Sequence, residues 1–191
     1  KRAAAADAQW HAHLAEGANE RGGTLALNKQ NGTIELVNPG VSALGNHYAP
    51  DLNVDGSHQV AGVFHTHFDK DFVQKDASNP LGLSNTAPGG GDFAWALEHN
   101  TDVNVVHAAS KDFMFVRTSQ TPSLSTADAA KLRADYQAEL DAGIRPGRFV
   151  MSNEAVTQRL ARDYAAKYHL AYYEGKDGVF TRVVPPAPAQ P

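Results

Sequence analysis

Residues 58–68 read HQVAGVFHTHF and residues 87–100 read APGGGDFAWALEHN. The first stretch alternates between two sets of side chains with period 2, which predicts a β-strand that enters the core. In that register His65 and His67 point to the same face of the sheet. Two imidazoles on one face of a strand end can share a metal ion, and Asp92, which opens the next predicted helix, can add a third ligand. With one position left to water, such a set is typical of a catalytic zinc site.

The histidine pair alone has two interpretations, because H-x-H is a short pattern. The two side chains are either satisfied polar groups at a strand end or metal ligands. A second H-x-H, formed by His11 and His13, lies in a predicted helix. Residues two apart on a helix are separated by about 200° around its axis and cannot chelate one ion. We therefore expect His11 and His13 to be surface residues.

Asp92 also has two interpretations. An aspartate at the start of a helix is most often a cap, since its carboxylate accepts the first amide hydrogens. The glycines that precede it, Gly89, Gly90 and Gly91, allow the backbone to approach a group in front of the helix. The positive N-terminus of the helix would also favour an anion there. Asp92 is therefore a candidate metal ligand as well as a candidate cap.

Composition and charge exclude several functional classes. The chain has 191 residues, enough for one domain with a hydrophobic core, and a net charge of -4. Without a basic run it is not expected to bind nucleic acid. It lacks cysteine, so any metal must be held by histidine and carboxylate. No apolar run approaches the roughly 20 residues that span a bilayer. We expect a soluble protein with no membrane partner, in a compartment that the composition does not identify.

Periodicity and turn residues predict the remaining elements. We expect strands at 24–27 and 33–37, joined by a tight turn at Asn31 and Gly32, and a loop at 38–57. Two further strand pairs are predicted, 103–108 with 113–117 and 170–173 with 179–183. Helices are predicted at 3–16, 92–98, 125–143 and 152–164. A proline-rich tail at 185–191 is expected to be a disordered or polyproline linker.

Two glutamates are candidates for a catalytic base. Glu20 lies at the end of the first predicted helix, in the segment NERGGTLAL, and Glu35 lies on the second predicted strand. Most such glutamates are simply solvated. A glutamate beside a metal-activated water, however, can take its proton and pass it to a leaving amine, which is the step that a zinc hydrolase needs.

Together these residues resemble the JAMM (MPN-domain) metalloprotease motif, in a divergent form of bacterial type. The family pattern is a glutamate, then H-[S/T]-H-P, then S-x-x-D. This chain has Glu20, then the H-T-H of His65 and His67, then G-G-G-D ending at Asp92, within about residues 10–118. The resemblance implies that the two histidines and the aspartate bind Zn²⁺. It also implies that Glu20 is the general acid/base, acting through a water.

The chain departs from the family pattern in two residues and one loop. Phe68 replaces the expected proline, and Gly89 replaces the serine whose hydroxyl stabilises the oxyanion. Losing that donor costs on the order of 100-fold or more in turnover and leaves a metal site intact. The long segment 69–88 is expected to be a lid or a substrate-selecting element, and Ser84 within it is the candidate to return the hydroxyl.

The resemblance implies a fold and a function for the whole chain. The fold is α/β with a mixed central β-sheet flanked by helices, the JAMM/MPN (cytidine-deaminase-like) architecture. It would span one domain at 1–184, with a helical and hairpin extension at 119–184. The function is a zinc-dependent metallohydrolase that cleaves a peptide or isopeptide bond in a protein or peptide substrate.

Two alternatives remain open at this point. One is a catalytically degenerate domain of the same fold that serves as a protein-binding scaffold. The other is a secreted bacterial toxin or effector domain. The chain begins with Lys1 instead of methionine, so we expect it to be part of a longer polypeptide.

Overall fold

A computed structural model describes the protein at residues 20–42, 48–67, 87–108, 111–143 and 153–183. The elements in these ranges are β1 (Arg21–Asn28), β2 (Ile34–Val41), β3 (His58–Thr66), α1 (Gly90–His99), β4 (Val103–His107), β5 (Asp112–Val116), α2 (Thr126–Gly143), α3 (Asn153–Lys167), β6 (Ala171–Lys176) and β7 (Val179–Val183). Of these helices, none is long and apolar enough to cross a membrane.

The strands form one sheet in the order β2-β1-β3-β4-β5-β6-β7. Strands β3 and β4 are parallel, and the other neighbouring pairs are antiparallel. The predicted α/β class with a mixed sheet is therefore confirmed. A parallel pair needs a crossover connection, and α1 lies in the connection between β3 and β4. Its N-terminus consequently lies near the C-terminal end of β3, where His65 and His67 are.

The two faces of the sheet differ in what packs on them. The three helices join one face, where the larger core cluster contains Phe93, Phe113, Phe115, Leu132 and Tyr164, all at most 1% exposed. Truncating a buried Phe of this kind to Ala typically costs about 3–5 kcal/mol. The opposite face carries a smaller cluster of sheet residues: Leu25, Leu36, Phe64 and Val105. The larger cluster fixes α1 and α2 on the face that carries His65.

The first hairpin confirms the two predicted strands but has a wider turn than predicted. Its closing pair is Asn28 and Thr33, whose backbone N–H and C=O lie 2.8 Å apart. A two-residue Asn-Gly turn needs positive φ at both residues. Here Gly32 has φ 69°, whereas Asn31 does not have a positive φ. Four residues therefore make the turn.

The prediction of a loop throughout 38–57 is wrong for its first four residues, because β2 continues to Val41. Val37 pairs with Thr24 and Gly40 with Gly22, so one extra residue on β2 forms a bulge. Pro39 is tolerated there because β2 is the edge strand, where a missing N–H removes no ladder hydrogen bond. The composition of 38–41 is typical of a loop, and the edge position overrides it.

The other predicted elements within the described ranges are confirmed, with boundary shifts. Helix α1 begins at Gly90, two residues before the prediction. The last hairpin turns at Asp177 and Gly178, both with positive φ, whereas Gly175 belongs to β6. The predicted helix at 3–16 with His11 and His13, the tail at 185–191, and residues 68–86 with Phe68 and Ser84 lie outside the described residues.

Candidate metal centre

The end of β3 is held from both sides by backbone pairing. His65 pairs with Gly22 on β1 and with Val106 on β4. His67 follows the strand, and its N–H donates to the carbonyl of His107 at 2.7 Å, which prolongs the parallel ladder. The side chains of His65 and His67 therefore share one face, as predicted, and both residues are at most 9% exposed.

Ligand atoms from three side chains converge at this strand end. The Nε2 atoms of His65 and His67 lie 3.1 Å apart. His65 Nε2 lies 3.1 Å from Oδ1 of Asp92, and His67 Nε2 lies 3.3 Å from Oδ2. Zinc bound tetrahedrally at 2.0–2.1 Å would separate neighbouring ligands by about 3.3 Å. The spacing and chemistry of the three side chains therefore fit a zinc ion.

Asp92 combines the two roles that its sequence position left open. It is the third residue of α1, and its Oδ2 accepts the N–H of Gly89 at 2.7 Å. Asp92 is thus not the N-cap residue itself, but it does satisfy the first backbone N–H ahead of the helix. Burial alone would raise the pKa of Asp92, but the imidazoles of His65 and His67 outweigh burial and hold the pKa well below its usual range. The carboxylate is therefore ionised and faces both histidines.

The glycines that precede Asp92 differ in the space they leave for a side chain. A Cβ at Gly90 would lie 2.7 Å from Cβ of Tyr136, so a glycine is needed where α1 approaches α2. Gly89 has an extended backbone with φ −98°. A Cβ there would meet only Asp92 Oδ2, at 3.7 Å. Position 89 therefore has room for a side chain, although the residue there is glycine.

Glu20 lies on the other side of the same site. It is 5% exposed and immediately precedes β1, where its carbonyl accepts the N–H of Ser42 at 2.7 Å. Its Oε2 accepts the backbone N–H of Tyr48 at 3.0 Å. Burial raises the pKa of Glu20, although His67, His65 and the Tyr48 amide act in the opposite direction. A raised pKa brings a carboxylate nearer to the range in which it can both accept and donate a proton at neutral pH.

One cavity of about 310 Å³ connects these groups. Its lining includes all four residues predicted from the sequence, namely Glu20, His65, His67 and Asp92. The lining also includes further residues of the sheet, together with Tyr48 and Pro50 before β3, Trp95 on α1, and Arg133, Tyr136, Gln137 and Leu140 on α2. The structure thus brings the predicted residues together in a space that can admit a small part of a larger substrate.

The competing base, Glu35, lies elsewhere. Its carboxylate accepts hydrogen bonds from Asn28 at 3.0 Å and Thr33 at 2.9 Å, and lies 3.2 Å from His58 Nε2. His58 begins β3, seven residues before His65, which corresponds to about 23 Å along a strand. Glu35 is therefore not placed to exchange a proton at the candidate site.

Sequence reasoning missed the cavity residues outside the motif. Tyr48 lies in a segment rich in Asn, Gly and Pro, where no periodicity marks a functional side chain. Arg133 and Gln137 lie one turn apart on α2, and their contribution follows from the packing of α2 against α1, which the sequence does not specify. The i, i+4 spacing of these two polar residues beside the apolar face was the available signal.

Comparison with known proteins yields no match among family models, curated proteins or solved structures. Two buried imidazoles and an ionised carboxylate can hold a divalent ion, and a buried glutamate in the same cavity can accept a proton.

Proposed function

We propose that the protein is a zinc-dependent metallohydrolase of JAMM/MPN-like architecture that cleaves a peptide or isopeptide bond. The observation that carries the proposal is the convergence of His65, His67 and Asp92 at 3.1–3.3 Å beside a buried Glu20. A metal site that serves only stability is normally closed by four protein ligands. Three ligands that open into a cavity fit a catalytic site better.

Each residue has a distinct role in the proposed reaction. His65 and His67 would bind Zn²⁺ through neutral Nε2 atoms, and Asp92 through its ionised carboxylate. Bound zinc supplies a Lewis acid that polarises the scissile carbonyl and lowers the pKa of water. Glu20 would accept the proton of the attacking water on its carboxylate and deliver it to the leaving amine.

The surroundings of Glu20 suit this proton transfer. Its burial excludes bulk water, so the carboxylate would exchange protons with groups in the cavity in preference to solvent. The raised pKa of Glu20 reduces the energy gap between its protonated and ionised forms near neutral pH. Glu35, by contrast, has its pKa lowered by hydrogen bonds from Thr33, His58 and Asn28. Glu20 is the better base on both location and electrostatics.

A zinc assay combined with a cleavage assay tests the proposal. We expect the purified protein to hold about one zinc per chain. His65→Ala and Asp92→Ala should lose it. Glu20→Gln should retain zinc and lower cleavage of a peptide and isopeptide library by roughly 100-fold or more, whereas Glu35→Gln should cleave normally. Circular dichroism of each variant verifies that it is folded.

Two outcomes contradict this assignment. A zinc content in the unaltered protein no higher than in His65→Ala would contradict the proposed metal site. Full activity in Glu20→Gln removes Glu20 as the base.

One observation favours a second function, a non-catalytic scaffold of the same architecture. Gly89 stands where the resembled family has a serine, so the hydroxyl that would stabilise the oxyanion is missing from that position. A scaffold would retain zinc and bind a protein partner without cleaving it. Zinc at full occupancy with no turnover on any peptide or isopeptide substrate supports the scaffold against the hydrolase.

A further inference from the structure

We propose that Tyr48 is a positioning residue for Glu20: its backbone N–H fixes the glutamate carboxylate, and its ring fixes that N–H by resting on two glycines of the sheet. The kinetic consequence rests on the proposed hydrolase function, but the contact itself does not. Tyr48 belongs neither to the candidate metal ligands nor to the sequence motif.

The backbone of Tyr48 contacts the carboxylate of Glu20. The Tyr48 N–H donates to Oε2 of Glu20 at 3.0 Å, and Glu20 is 5% exposed. A carboxylate on an unbranched side chain can rotate, and a base must be held within a narrow range of orientation to transfer a proton efficiently. An amide that holds one oxygen restricts this rotation and leaves the second oxygen for the transfer.

The ring of Tyr48 packs against two glycines of the sheet. A Cβ at Gly22 would lie 2.6 Å from Cε1 of Tyr48 and 2.2 Å from the carbonyl oxygen of Phe64. A Cβ at Gly40 would lie 3.4 Å from Cε2 and from the hydroxyl oxygen of Tyr48. Gly22 and Gly40 are paired neighbours on β1 and β2, and Gly22 also pairs with His65. The ring therefore occupies the space above these two glycines of neighbouring strands, beside the strand end that carries the histidines.

The segment that follows Tyr48 is hydrogen-bonded to the first two strands of the sheet. The hydroxyl of Thr24 donates to the carbonyl of Asp51 at 2.7 Å. The side-chain amide of Asn38 donates to the carbonyls of Asp51 at 3.0 Å and Asn53 at 2.7 Å. These bonds tie the chain just after Tyr48 to β1 and β2. The Tyr48 amide is thus held by its own ring and by the backbone that follows it.

The hydroxyl of Tyr48 is not assigned a part in this arrangement. Burial, with a smaller contribution from Asp51, raises the pKa of Tyr48 to about 12, so the hydroxyl is protonated at neutral pH. It cannot serve as a base there. The positioning role belongs to the ring and the backbone N–H, which phenylalanine also provides.

Matched substitutions at Tyr48 separate positioning from a general loss of structure. Tyr48→Ala, which lacks the ring, is expected to lower kcat between about tenfold and 100-fold, with zinc content and KM nearly unchanged. Tyr48→Phe should restore kcat to within about threefold of the unaltered protein. Tyr173→Ala, on β6 four strands from β1, removes a tyrosine outside the site and should leave kcat unchanged.

Two kinetic results would overturn the inference. An unchanged kcat in Tyr48→Ala means that the ring does not position the base. A kcat in Tyr48→Phe as low as in Tyr48→Ala assigns the effect to the hydroxyl.

Amide hydrogen exchange tests the contact without any activity. The Tyr48 amide should exchange slowly in the unaltered protein and at least about tenfold faster in Glu20→Ala. If the Tyr48 amide exchanges slowly in a protein that shows no turnover, the contact is supported and the proposed hydrolase function is contradicted. An amide that exchanges equally fast in both proteins overturns the inference, even if turnover is present.

Discussion

Both ends of β3 carry histidine and acidic groups, but the two clusters are built differently. At the C-terminal end, the Nε2 atoms of His65 and His67 point at each other and at one carboxylate. At the N-terminal end, His58 gives each ring nitrogen its own carboxylate, Asp55 Oδ1 at 2.8 Å from Nδ1 and Glu35 Oε2 at 3.2 Å from Nε2. The presence of such residues is therefore a weak signal of a metal site. Convergence of their ligand atoms on one point is a more specific signal.

Electrostatics separates the two ends further. Hydrogen bonds to Asp55 and Glu35 raise the pKa of His58, and hydrogen bonds from Ser57 and His58 lower the pKa of Asp55 to about 2. The raised pKa of His58 favours the protonated imidazole, which has no lone pair for a metal. This cluster joins β2, β3 and the preceding loop by ion pairing in a solvated position, whereas the buried cluster has a geometry that an ion would complete.

Zinc affinity should differ between the two ends more than any other property. In chelator-treated protein titrated with zinc by calorimetry, His65→Ala should weaken binding by at least about 100-fold, since one of three protein ligands is lost. His58→Ala is the matched control and should bind zinc as the unaltered protein does. Equal weakening in the two variants would mean that convergence does not identify the site.

A serine at position 89 should change the cluster at the C-terminal end of β3 and leave the cluster at its N-terminal end unaltered. Gly89 has an extended backbone and room for a side chain, so Gly89→Ser should fold. As an N-cap it should stabilise the protein by about a few tenths of a kcal/mol. If the added hydroxyl reaches the oxyanion, kcat should rise by about tenfold or more, with zinc content unchanged.

Alanine at position 89 is the control for that experiment, because it fills the same space without a hydroxyl. Thermal unfolding and steady-state kinetics measure both effects. A rise in kcat for Gly89→Ala equal to that for Gly89→Ser would assign the effect to the backbone and not to the hydroxyl.

The smallest expected effect is a pH-dependent change in the stability of the protein, caused by the cluster at the N-terminal end of β3. The pKa of His58 is raised in the folded protein, so its contribution is complete below the unfolded value of about 6.5 and is lost as pH rises through the folded value. On the acid side, the contribution of Asp55 is lost as pH falls toward about 2. His58→Gln should therefore lower Tm more at pH 5.5 than at pH 9.

Calorimetry of chelator-treated protein measures this difference without a contribution from zinc. His169→Asn is the control, because His169 is exposed and its φ of 55° is one that asparagine tolerates. A Tm difference for His58→Gln that does not depend on pH would show that the raised pKa of His58 does not contribute to stability.

Strong local patterns predicted most of the described fold. The alternation in 58–68 indicated β3 and the shared face of its histidines, and the periodicity of 125–143 indicated α2. These predictions succeeded because period and burial agree. The end of β2 was missed because an edge strand accepts Pro39 and a bulge, which depends on its place in the sheet and not on its own residues.

The candidate site was predictable in its residues and not in its surroundings. His65, His67, Asp92 and Glu20 were all chosen from the sequence, and the structure brings them together. The choice between Glu20 and Glu35 needed the registers of β2 against β1 and of β1 against β3, which place the two glutamates toward opposite ends of β3. Tyr48 was missed because its role depends on a backbone N–H and on two distant glycines, and neither leaves a mark in the local sequence.

X-ray absorption at the zinc edge tests the central claim most directly, because it reports the ligands of the ion in the intact protein. We expect a first shell of about four nitrogen or oxygen atoms near 2.0 Å, with the outer-shell scattering of two imidazoles. In His65→Ala loaded with excess zinc, the scattering of one imidazole should disappear, whereas in His58→Ala both should remain. A zinc-treated protein without imidazole scattering, or with the same spectrum in both variants, would contradict the assignment of His65, His67 and Asp92 as a metal centre.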